Sequence, residues 1–390
     1  MNWYDRLRRV YEEVIFGAIS LRHFCRTLLT RRPLVLIASH AGPFIGSAYF
    51  FLRHLQGQST VCSIGLVTRQ TRYSLVQQRL PWVVRGGWLA HRLAKRAAVV
   101  CIGGYPSNEP FWADYTNALR VLVWHGMPIK AIGSQSALQP PYPQEADCCI
   151  ATSSLMQTIM QKAFPLAGPA LCTGEPKTDG LIDPKLPDSL QQLRATYRKV
   201  ILYAPTFRDA VNPAASGYFA DTTFDDSIAW SEEIKAILTR HNACMIVAPH
   251  PAVRMHYKGR LQTPCFLASD LDVATEHLMA AADYLISDYS SVIIDWLLLL
   301  RPMGLYCPDI AEYAARRGFP YFDFEEVFAP FIHRDLVSLV HDINQALSTP
   351  SPDDSLRQLK TRFHQHEAGG AAARLLAAIQ AELRRRTKIA

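Results

Sequence analysis

Short apolar runs alternate with longer amphipathic stretches along most of the chain. Each apolar run predicts a strand, and the first five lie at residues 34–38, 61–67, 98–102, 121–124 and 148–151. A second series lies at 200–203, 245–248, 284–287 and 303–306, with helical segments at 231–240, 274–281 and 292–300 between its members. Uniformly apolar strands separated by helices are typical of a parallel sheet covered on both faces. The pattern therefore predicts the α/β class.

A stretch rich in proline and aspartate, residues 180–189, separates the two series and has the composition of a linker. The length of 390 residues, of which 49% are hydrophobic, is enough for two cores. We therefore expect an amphipathic helix at 1–32, a Rossmann-like domain at 33–185 and a second Rossmann-like domain at 186–390 that ends in a helix at about 371–386. The carboxyl ends of both sets of strands should face a cleft, where ligands of open parallel sheets bind.

The first segment, residues 3–29, predicts a single helix. Apolar side chains recur along it at three- or four-residue intervals, at Trp3, Leu7, Val10, Val14, Ala18 and Leu21, while arginines lie on other faces. A basic amphipathic helix of this kind either lies in a membrane interface or packs on its own domain, and the sequence leaves both alternatives open.

The uncharged run at residues 33–52 is about long enough to span a membrane, but His40, Gly42, Pro43 and Gly46 interrupt it. This composition favours a strand, a loop at 39–43 and a helix through Phe51, which is how a nucleotide-binding domain begins.

Charge is distributed unevenly along the chain, whose net charge is +7. Residues 14–108 include no aspartate or glutamate but twelve arginines and lysines. Such a region projects a positive field, to which anionic lipid headgroups, a polyphosphate acceptor or nucleic acid would respond. A solvated basic face without a specific partner is the alternative. Nucleic acid is disfavoured, because the chain has neither zinc-finger spacing nor an RNP-like aromatic motif.

Several common chemistries are not supported by the sequence. The nine cysteines form no CxxC pair and no secretory signal opens the chain, so free thiols in a reducing cytosol are the simplest interpretation. His364 and His366 are isolated and are interpreted as surface residues. The absence of a GxGxxG, a Walker loop and a GxSxG elbow argues against NAD binding, ATP hydrolysis and serine hydrolysis.

Candidate binding residues of the second half follow its predicted strands. Ser290 and Ser291 lie where a strand turns into a helix, so that hydroxyls, backbone N–H groups and the helix dipole could bind a diphosphate. Ordinary capping serines would look the same. Thr206 and Arg208 follow another strand, and His250 stands between two prolines after a third. Arginine offers a planar fork of donors to phosphate oxygens.

Candidate residues of the first half also follow strands. His125 comes directly after a predicted strand, and Gly126 permits close backbone approach. A general base on this side could take a proton from an incoming hydroxyl. Lys177, near the domain junction, could reach a phosphate.

Five segments together resemble the CDP-glycerol glycerophosphotransferase family, the enzymes that prime or polymerise teichoic acids and some bacterial capsules. They are WHGMPIK at 124–130, TGEPKTD at 173–179, YAPTFRD at 203–209, PHP at 249–251 and SDYSSVIID at 287–295. The resemblance covers roughly residues 34–379 and depends on five sequence motifs that occur in the same order as in that family.

The resemblance implies a GT-B architecture and attack on the β-phosphate of CDP-glycerol, with CMP leaving. It implies that His125 is the base and that the donor is held by Thr206, Arg208, His250, Ser290, Ser291 and Asp295, with Lys177 as a further phosphate contact. We assign His125, His250 and Arg208 as the catalytic residues and include Gly126, Met127, Pro128 and Pro205 among the substrate-binding residues. No metal or cofactor is expected. The acceptor would be lipid-linked or polymeric, and the enzyme peripheral at the cytoplasmic face of the cell membrane, on an anionic surface.

Three positions depart from the family pattern. Met127 replaces a usual threonine, Lys177 replaces a usual arginine, and residues 327–330 lack a Pro-Gly-Pro. These departures leave CDP-ribitol open as the donor. A GT-B glycosyltransferase that uses a nucleotide sugar is a further alternative. A primase that adds one or a few units is expected rather than a processive polymerase.

Overall fold

Two parallel sheets form the framework of the protein. The computed structural model describes residues 3–39, 44–68, 79–104, 115, 117–136, 146–206, 227–250, 253–349 and 353–389. In these residues the first sheet contains β1 (Leu34–Ala38), β2 (Cys62–Val67), β3 (Trp82–Val84), β4 (Val99–Ile102), β5 (Leu119–Leu122), β6 (Cys148–Ala151) and β7 (Ala170–Cys172). The second contains β8 (Lys199–Tyr203), β9 (Ala243–Val247), β10 (Cys265–Leu267), β11 (Tyr284–Ser287), β12 (Met303–Tyr306) and β13 (Ile332–His333).

Strand order shows two doubly wound sheets. The orders are β3-β2-β1-β4-β5-β6-β7 and β10-β9-β8-β11-β12-β13, and the strand pairings are parallel. In each sheet the chain starts at a central strand, winds to one edge and then returns to wind to the other, which creates the switch point where such folds bind ligands. The predicted α/β class with two parallel sheets is confirmed.

Helices cover the two sheets. They are α1 (Trp3–Leu29), α2 (Gly46–Leu55), α3 (Trp88–Ala94), α4 (Ser154–Ala163), α5 (Asp179–Ile182), α6 (Asp188–Thr196), α7 (Ser227–Trp230) and α8 (Glu232–Arg240). The remaining helices are α9 (Arg254–Tyr257), α10 (Thr275–Ala281), α11 (Val292–Trp296), α12 (Ile310–Arg317), α13 (Phe324–Phe328), α14 (Leu336–Ser348), α15 (Asp354–Phe363) and α16 (Ala371–Ile389). None of the described helices is long and apolar enough to cross a membrane.

The chain divides into two compact units. Unit 1 contains Met1–His125, Pro141–Asp179 and Gly370–Ala390, and unit 2 contains Gly126–Pro140 and Gly180–Gly369. The division after Asp179 lies close to the linker expected at 180–189. The expected ranges of 33–185 and 186–390 differ in two respects, because residues 126–140 belong to unit 2 and the C-terminal helix belongs to unit 1.

The C-terminal helix joins unit 1 for a physical reason. Its Leu375 and Ile379 are fully buried in the same core as Val35 and Phe51 of the first sheet and its covering helix. The Asp179 carboxylate also caps the start of α16, since it accepts the backbone N–H groups of residues 370, 371 and 372 at 2.7, 2.8 and 2.9 Å. Contacts of this kind between distant segments cannot be recognised from composition.

The first helix packs on unit 1 through one face. Phe16, Phe24 and Thr27 are buried there, and the Phe16 and Trp82 rings lie 6.2 Å apart. The other face is exposed and apolar: Val14 is 65%, Leu21 49% and Leu28 45% exposed. Of the predicted apolar stripe, Val14, Ala18 and Leu21 are exposed and do not pack on the domain.

One histidine was assigned wrongly from the sequence. His364 is buried rather than on the surface, and its Nε2 lies 2.6 Å from the carbonyl oxygen of Ile294 within unit 2. The predicted loop residues 40–43 lie outside the described residues.

Candidate active site

His125 follows the carboxyl end of β5 in unit 1. Its Nδ1 lies 2.8 Å from the carbonyl oxygen of Gly103, which can only accept a hydrogen bond. In the neutral ring Nδ1 therefore holds the proton and Nε2 holds the lone pair. The side chain is exposed. An oriented imidazole whose second nitrogen has a lone pair is suited to take a proton from a hydroxyl.

The backbone around His125 adopts unusual conformations. Trp124 has φ of +44° and Gly126 has φ of +149°. A left-handed conformation is unfavourable for a large side chain by about 1–2 kcal/mol, so packing must hold Trp124 in place. Its ring lies 4.7 Å from that of Phe164 and 4.1 Å from that of His125. The strained turn positions the imidazole at the end of the strand.

The residues after His125 belong to unit 2. Gly126, Met127 and Pro128 are buried, and Met127 is 0% exposed. The segment that continues from them is held by backbone contacts, because Ala131 N–H donates to Gly318 O at 3.3 Å and Ile132 N–H donates to the Tyr321 hydroxyl at 3.1 Å. A substrate contact at Met127 would thus involve its backbone rather than its side chain.

Lys177 lies in a turn after β7 and is buried. Its Nζ is 3.6 Å from Oε1 of Glu175, and the two side chains are 7% and 0% exposed. The same segment supports the C-terminal helix, since Gly174 has φ of +77° and a Cβ there would lie 3.2 Å from that of Ala371. Within unit 1 the lysine neutralises a buried carboxylate, and its contact with a phosphate stays a prediction.

Three adjacent strands bring the candidate residues of unit 2 to one edge. The order β9-β8-β11 places the segments with His250, Thr206 and Ser290 at the carboxyl ends of neighbouring parallel strands. Direct hydrogen bonds join the last two segments. Thr206 N–H donates to both oxygens of Asp288 at 2.9 and 3.1 Å, and the Ser287 hydroxyl donates to Ala204 O at 2.8 Å.

The two serines have different roles at the start of α11. The Ser290 hydroxyl accepts the N–H of Val292 at 3.4 Å, whereas Ser291 is the N-cap residue but makes no capping bond with its side chain. Both serines are half-buried, and Asp295 is buried one turn further along. Because α11 has only five residues, the helix dipole contributes less here than the sequence implied.

The structure describes two of the three remaining residues that were predicted to bind the donor. His250 is exposed just after β9, and its carbonyl accepts the N–H of Val253 at 3.0 Å. Pro205 is half-buried beside Thr206. Arg208 lies outside the described residues.

Asp288 is a structural centre that sequence reasoning missed. Its carboxylate is 2% exposed and accepts the N–H groups of Thr206 and Tyr289, the second at 2.6 Å. Tyr289 in turn donates its hydroxyl to Asp309 at 2.8 Å, and burial together with that carboxylate raises the pKa of Tyr289 far above its usual value. The sequence feature that could have pointed to Asp288 is an acidic residue directly after an apolar strand.

The geometry supports base chemistry in unit 1 and anion binding in unit 2. Unit 1 presents an oriented, exposed imidazole. Unit 2 presents the hydroxyl groups of half-buried Ser290 and Ser291 on a loop that Asp288 fixes to the loop of Thr206. Among the described residues, no group of three or more histidine, cysteine, aspartate and glutamate side chains could hold a metal ion. All nine cysteines are free thiols.

Comparisons with known proteins give one consistent result. The family model for CDP-glycerol:poly(glycerophosphate) glycerophosphotransferases matches residues 28–381. A teichoic acid ribitol-phosphate primase of Bacillus spizizenii is 37% identical over 150 residues, which are 38% of this chain and 35% of that protein. A teichoic acid glycerol-phosphate transferase of Staphylococcus aureus is 25% identical over 95% of this chain and 98% of its own length.

The likeness extends to a solved fold. The structure of the wall teichoic acid polymerase TagF matches with a TM-score of 0.70 at 17% identity, over 98% of both chains. The predicted fold class, two Rossmann-like parallel-sheet units of the GT-B type, is confirmed. The matched region spans about a third of the first curated relatives, 35%, 33% and 31% of their lengths.

Proposed function

Because the chain belongs to the CDP-glycerol:poly(glycerophosphate) glycerophosphotransferase family, we propose that it transfers glycerol phosphate from CDP-glycerol to a hydroxyl group of a membrane-associated acceptor. CMP is the leaving group, and the product is an intermediate of a cell-surface polymer. The observation that carries this proposal is the orientation of His125, whose Nδ1 is bound to Gly103 O so that Nε2 has the lone pair.

The reaction replaces a phosphoanhydride bond with a phosphodiester bond. The acceptor oxygen attacks the β-phosphorus of CDP-glycerol, and its proton passes to Nε2 of His125. The bond from the β-phosphorus to the bridging oxygen breaks, and that oxygen leaves with its electron pair as part of CMP. Stabilising the charge that develops on the phosphates is the other requirement of the reaction.

The donor binds to unit 2 in this proposal. The hydroxyls of Ser290 and Ser291 and the loop at Thr206 bind the diphosphate, and Asp288 keeps the two loops together. Arg208, His250 and Asp295 are assigned to the donor, with Gly126, Pro128 and Pro205 at its periphery. These assignments are supported by the motifs and by the adjacency of β9, β8 and β11.

CDP-ribitol is the second candidate donor, and a likeness to a ribitol-phosphate enzyme supports it. The ribitol-phosphate primase is 37% identical over 38% of this chain, and the glycerol-phosphate transferase is 25% identical over 95% of it. Both donors would undergo the same chemistry at the same phosphorus, so the choice depends on the polyol end.

The acceptor is a lipid-linked or polymeric hydroxyl compound at the cytoplasmic face of an anionic membrane. Exposed Val14, Leu21 and Leu28 are spaced by seven residues and so lie along one face of α1. Arg22 and Arg26 are exposed on another face of the same helix. A helix with an exposed apolar stripe and exposed arginines is suited to the interface of an anionic membrane.

Product analysis tests the proposed reaction. Radiolabelled CDP-glycerol and CDP-ribitol are each incubated with the protein and membrane extracts, and the nucleotide released is identified by chromatography. We expect CMP and labelled polymer precursor from one of the two donors. Turnover of nucleotide sugars with release of CDP or UDP, and none of either CDP-polyol, would contradict the proposal.

A further inference from the structure

A cavity lined by basic and neutral polar side chains lies in unit 1, away from the end of β5 that precedes His125. It opens at the amino-terminal ends of β2 and β3, since Cys62 is the first residue of β2 and Pro81 directly precedes β3. Its volume is about 490 Å³, and an adjoining cavity of about 490 Å³ shares His23, Arg26 and Arg79 with it. We call the two cavities together the amino-edge pocket.

The amino-edge pocket is strongly basic. Arg22, Arg26, Arg32 and Arg79 line it together with His23, and no acidic side chain does. All four arginines belong to the stretch 14–108, which includes no aspartate or glutamate. Burial is the main cause that lowers the pKa of His23, and the charges of Arg22 and Arg26 lower it further.

The backbone carbonyl groups beside the pocket already accept hydrogen bonds from another side chain. The pocket adjoins the C-terminal end of α1, where unpaired carbonyl groups would repel an anion. The Arg96 guanidinium donates to Thr27 O at 2.5 Å and also to Thr30 O. These carbonyls therefore leave the four lining arginines available to another anion.

The neutral part of the wall defines the chemistry of that anion. Gln56, Gln58, Thr30 and Ser63 line the pocket, and the Gln56 amide N–H groups donate to Leu52 O and to the Ser63 hydroxyl. The amide and hydroxyl oxygens of this wall can accept hydrogen bonds from hydroxyl groups. A zwitterionic headgroup would bring an ammonium group to a wall that has arginines and no carboxylate, which is unfavourable. A phosphodiester with a neutral polyol arm fits both the arginines and the amides.

We propose that the amino-edge pocket binds the phosphodiester headgroup of a polyol phospholipid such as phosphatidylglycerol. Leu29, which lines the pocket, is 86% exposed, and Leu28 beside it belongs to the exposed stripe of α1. Exposed leucines at the rim of an anion pocket suit a lipid rather than a soluble polymer. The inference rests on the membrane location proposed above. It adds that the protein selects membranes by the chemistry of one lipid headgroup and not by negative charge alone.

Vesicle binding tests this inference. The full chain, an Arg26→Gln/Arg79→Gln variant and a matched Arg53→Gln/Lys95→Gln control are sedimented with phosphatidylcholine vesicles that contain equal fractions of phosphatidylglycerol or phosphatidylserine. Arg53 and Lys95 are exposed in unit 1 but do not line the pocket. We expect the wild type to prefer phosphatidylglycerol, the pocket variant to lose at least about tenfold in affinity for it and the control to lose less than about threefold.

Two outcomes would overturn the inference. Equal losses in both variants would mean that a diffuse field binds the membrane, because each variant removes two charges. If the pocket variant loses binding of soluble glycerophosphoglycerol, measured by calorimetry, but keeps wild-type binding to vesicles, the pocket binds a polymer and not a lipid.

With a water-soluble acceptor the pocket variant should release CMP at the wild-type rate. A wild-type protein that binds vesicles as expected but releases no CMP would overturn only the proposed function.

Discussion

Asp288 is the residue on which the donor loops of unit 2 depend. Its buried carboxylate accepts two backbone N–H groups, one from the loop after β8 and one from its own loop. Its Oδ1 accepts both of these N–H groups, and its Oδ2 makes a second contact with the Thr206 N–H. The position should therefore require a side-chain acceptor for geometry rather than for catalysis.

Replacing Asp288 by alanine tests this role. We expect the free energy of unfolding to fall by about 1–3 kcal/mol, because two buried N–H groups lose their acceptor. The KM for the CDP-linked donor should rise at least tenfold, since the serine loop is no longer fixed to Thr206. Urea melts and initial rates provide the measurement. The exposed Asp270→Ala variant is the control, and similar results for both variants would show that the carboxylate does not order the loops.

Residues that follow strands could be predicted, and their partners could not. His125, His250, Thr206 and the two serines were found because each comes after an apolar run. The Gly103 carbonyl that orients His125 belongs to a different strand end, and so does the Asp288 carboxylate bound to Thr206. Such pairings depend on strand order, which a single sequence does not reveal.

At the scale of elements, central strands were predicted and edge strands were missed. β1, β6, β11 and β12 have the predicted bounds, and the other central strands differ from theirs by one or two residues. The four missed strands, β3, β7, β10 and β13, are the two edges of each sheet and have two or three residues. Runs of two or three residues are too short to show the hydrophobic periodicity from which strands are predicted.

The first helix shows a different limit of sequence patterns. Its predicted bounds of 3–29 are confirmed. The face that packs, with Phe16 and Phe24, was not recognised, because Ser20 and Thr27 interrupt it and look polar in sequence. Packing against Trp82 and Trp88 decides the buried face, and these residues come about 60 positions later in the chain.

The cap of the C-terminal helix gives a prediction at this scale. Asp179→Ala removes the acceptor of three N–H groups at the start of α16, so the protein should lose about 0.5–2 kcal/mol of stability. Hydrogen exchange should increase in the first turn of α16. The exposed Asp183→Ala variant should retain wild-type exchange and stability. Unchanged exchange in Asp179→Ala would mean that the cap does not hold this helix.

At the scale of the whole molecule, buried thiols make stability depend on alkaline pH. Burial is the main cause that raises the pKa of Cys148 to about 12, of Cys244 to about 12 and of Cys265 to about 11. Thiols of the unfolded chain ionise near their ordinary value of about 8.5. Below that pH both states hold the protons and stability is complete. As pH rises further, only the unfolded state releases protons, so the folded state loses stability.

We therefore expect the free energy of unfolding to decrease steadily from about pH 9 towards pH 11. Urea melts at a series of pH values measure the slope. A Cys148→Ala/Cys244→Ala variant should have a shallower slope, because two of the shifted groups are gone. Cys25→Ala, which removes an exposed thiol, should keep the wild-type slope. A slope that all three proteins share would assign the alkaline transition to other groups.

The chain path of the whole molecule could be anticipated only in outline. The expectation of two units follows from two series of apolar runs, and the chain divides after Asp179, whereas the expected boundary lay after residue 185. The return of residues 370–390 to unit 1 depends on long-range burial of Leu375 and Ile379. Each unit is therefore built from non-contiguous segments, which a reading along the chain cannot reveal.

The rate of CMP release from CDP-polyol by His125→Ala tests the central claim most directly. We expect a loss of at least about 100-fold in kcat, with little change in the KM of the donor, because the base acts on the acceptor hydroxyl. His256→Ala, which removes an exposed histidine of unit 2, should keep the wild-type rate. A His125→Ala enzyme that retains at least a third of the wild-type kcat would contradict the assignment of His125 as the base.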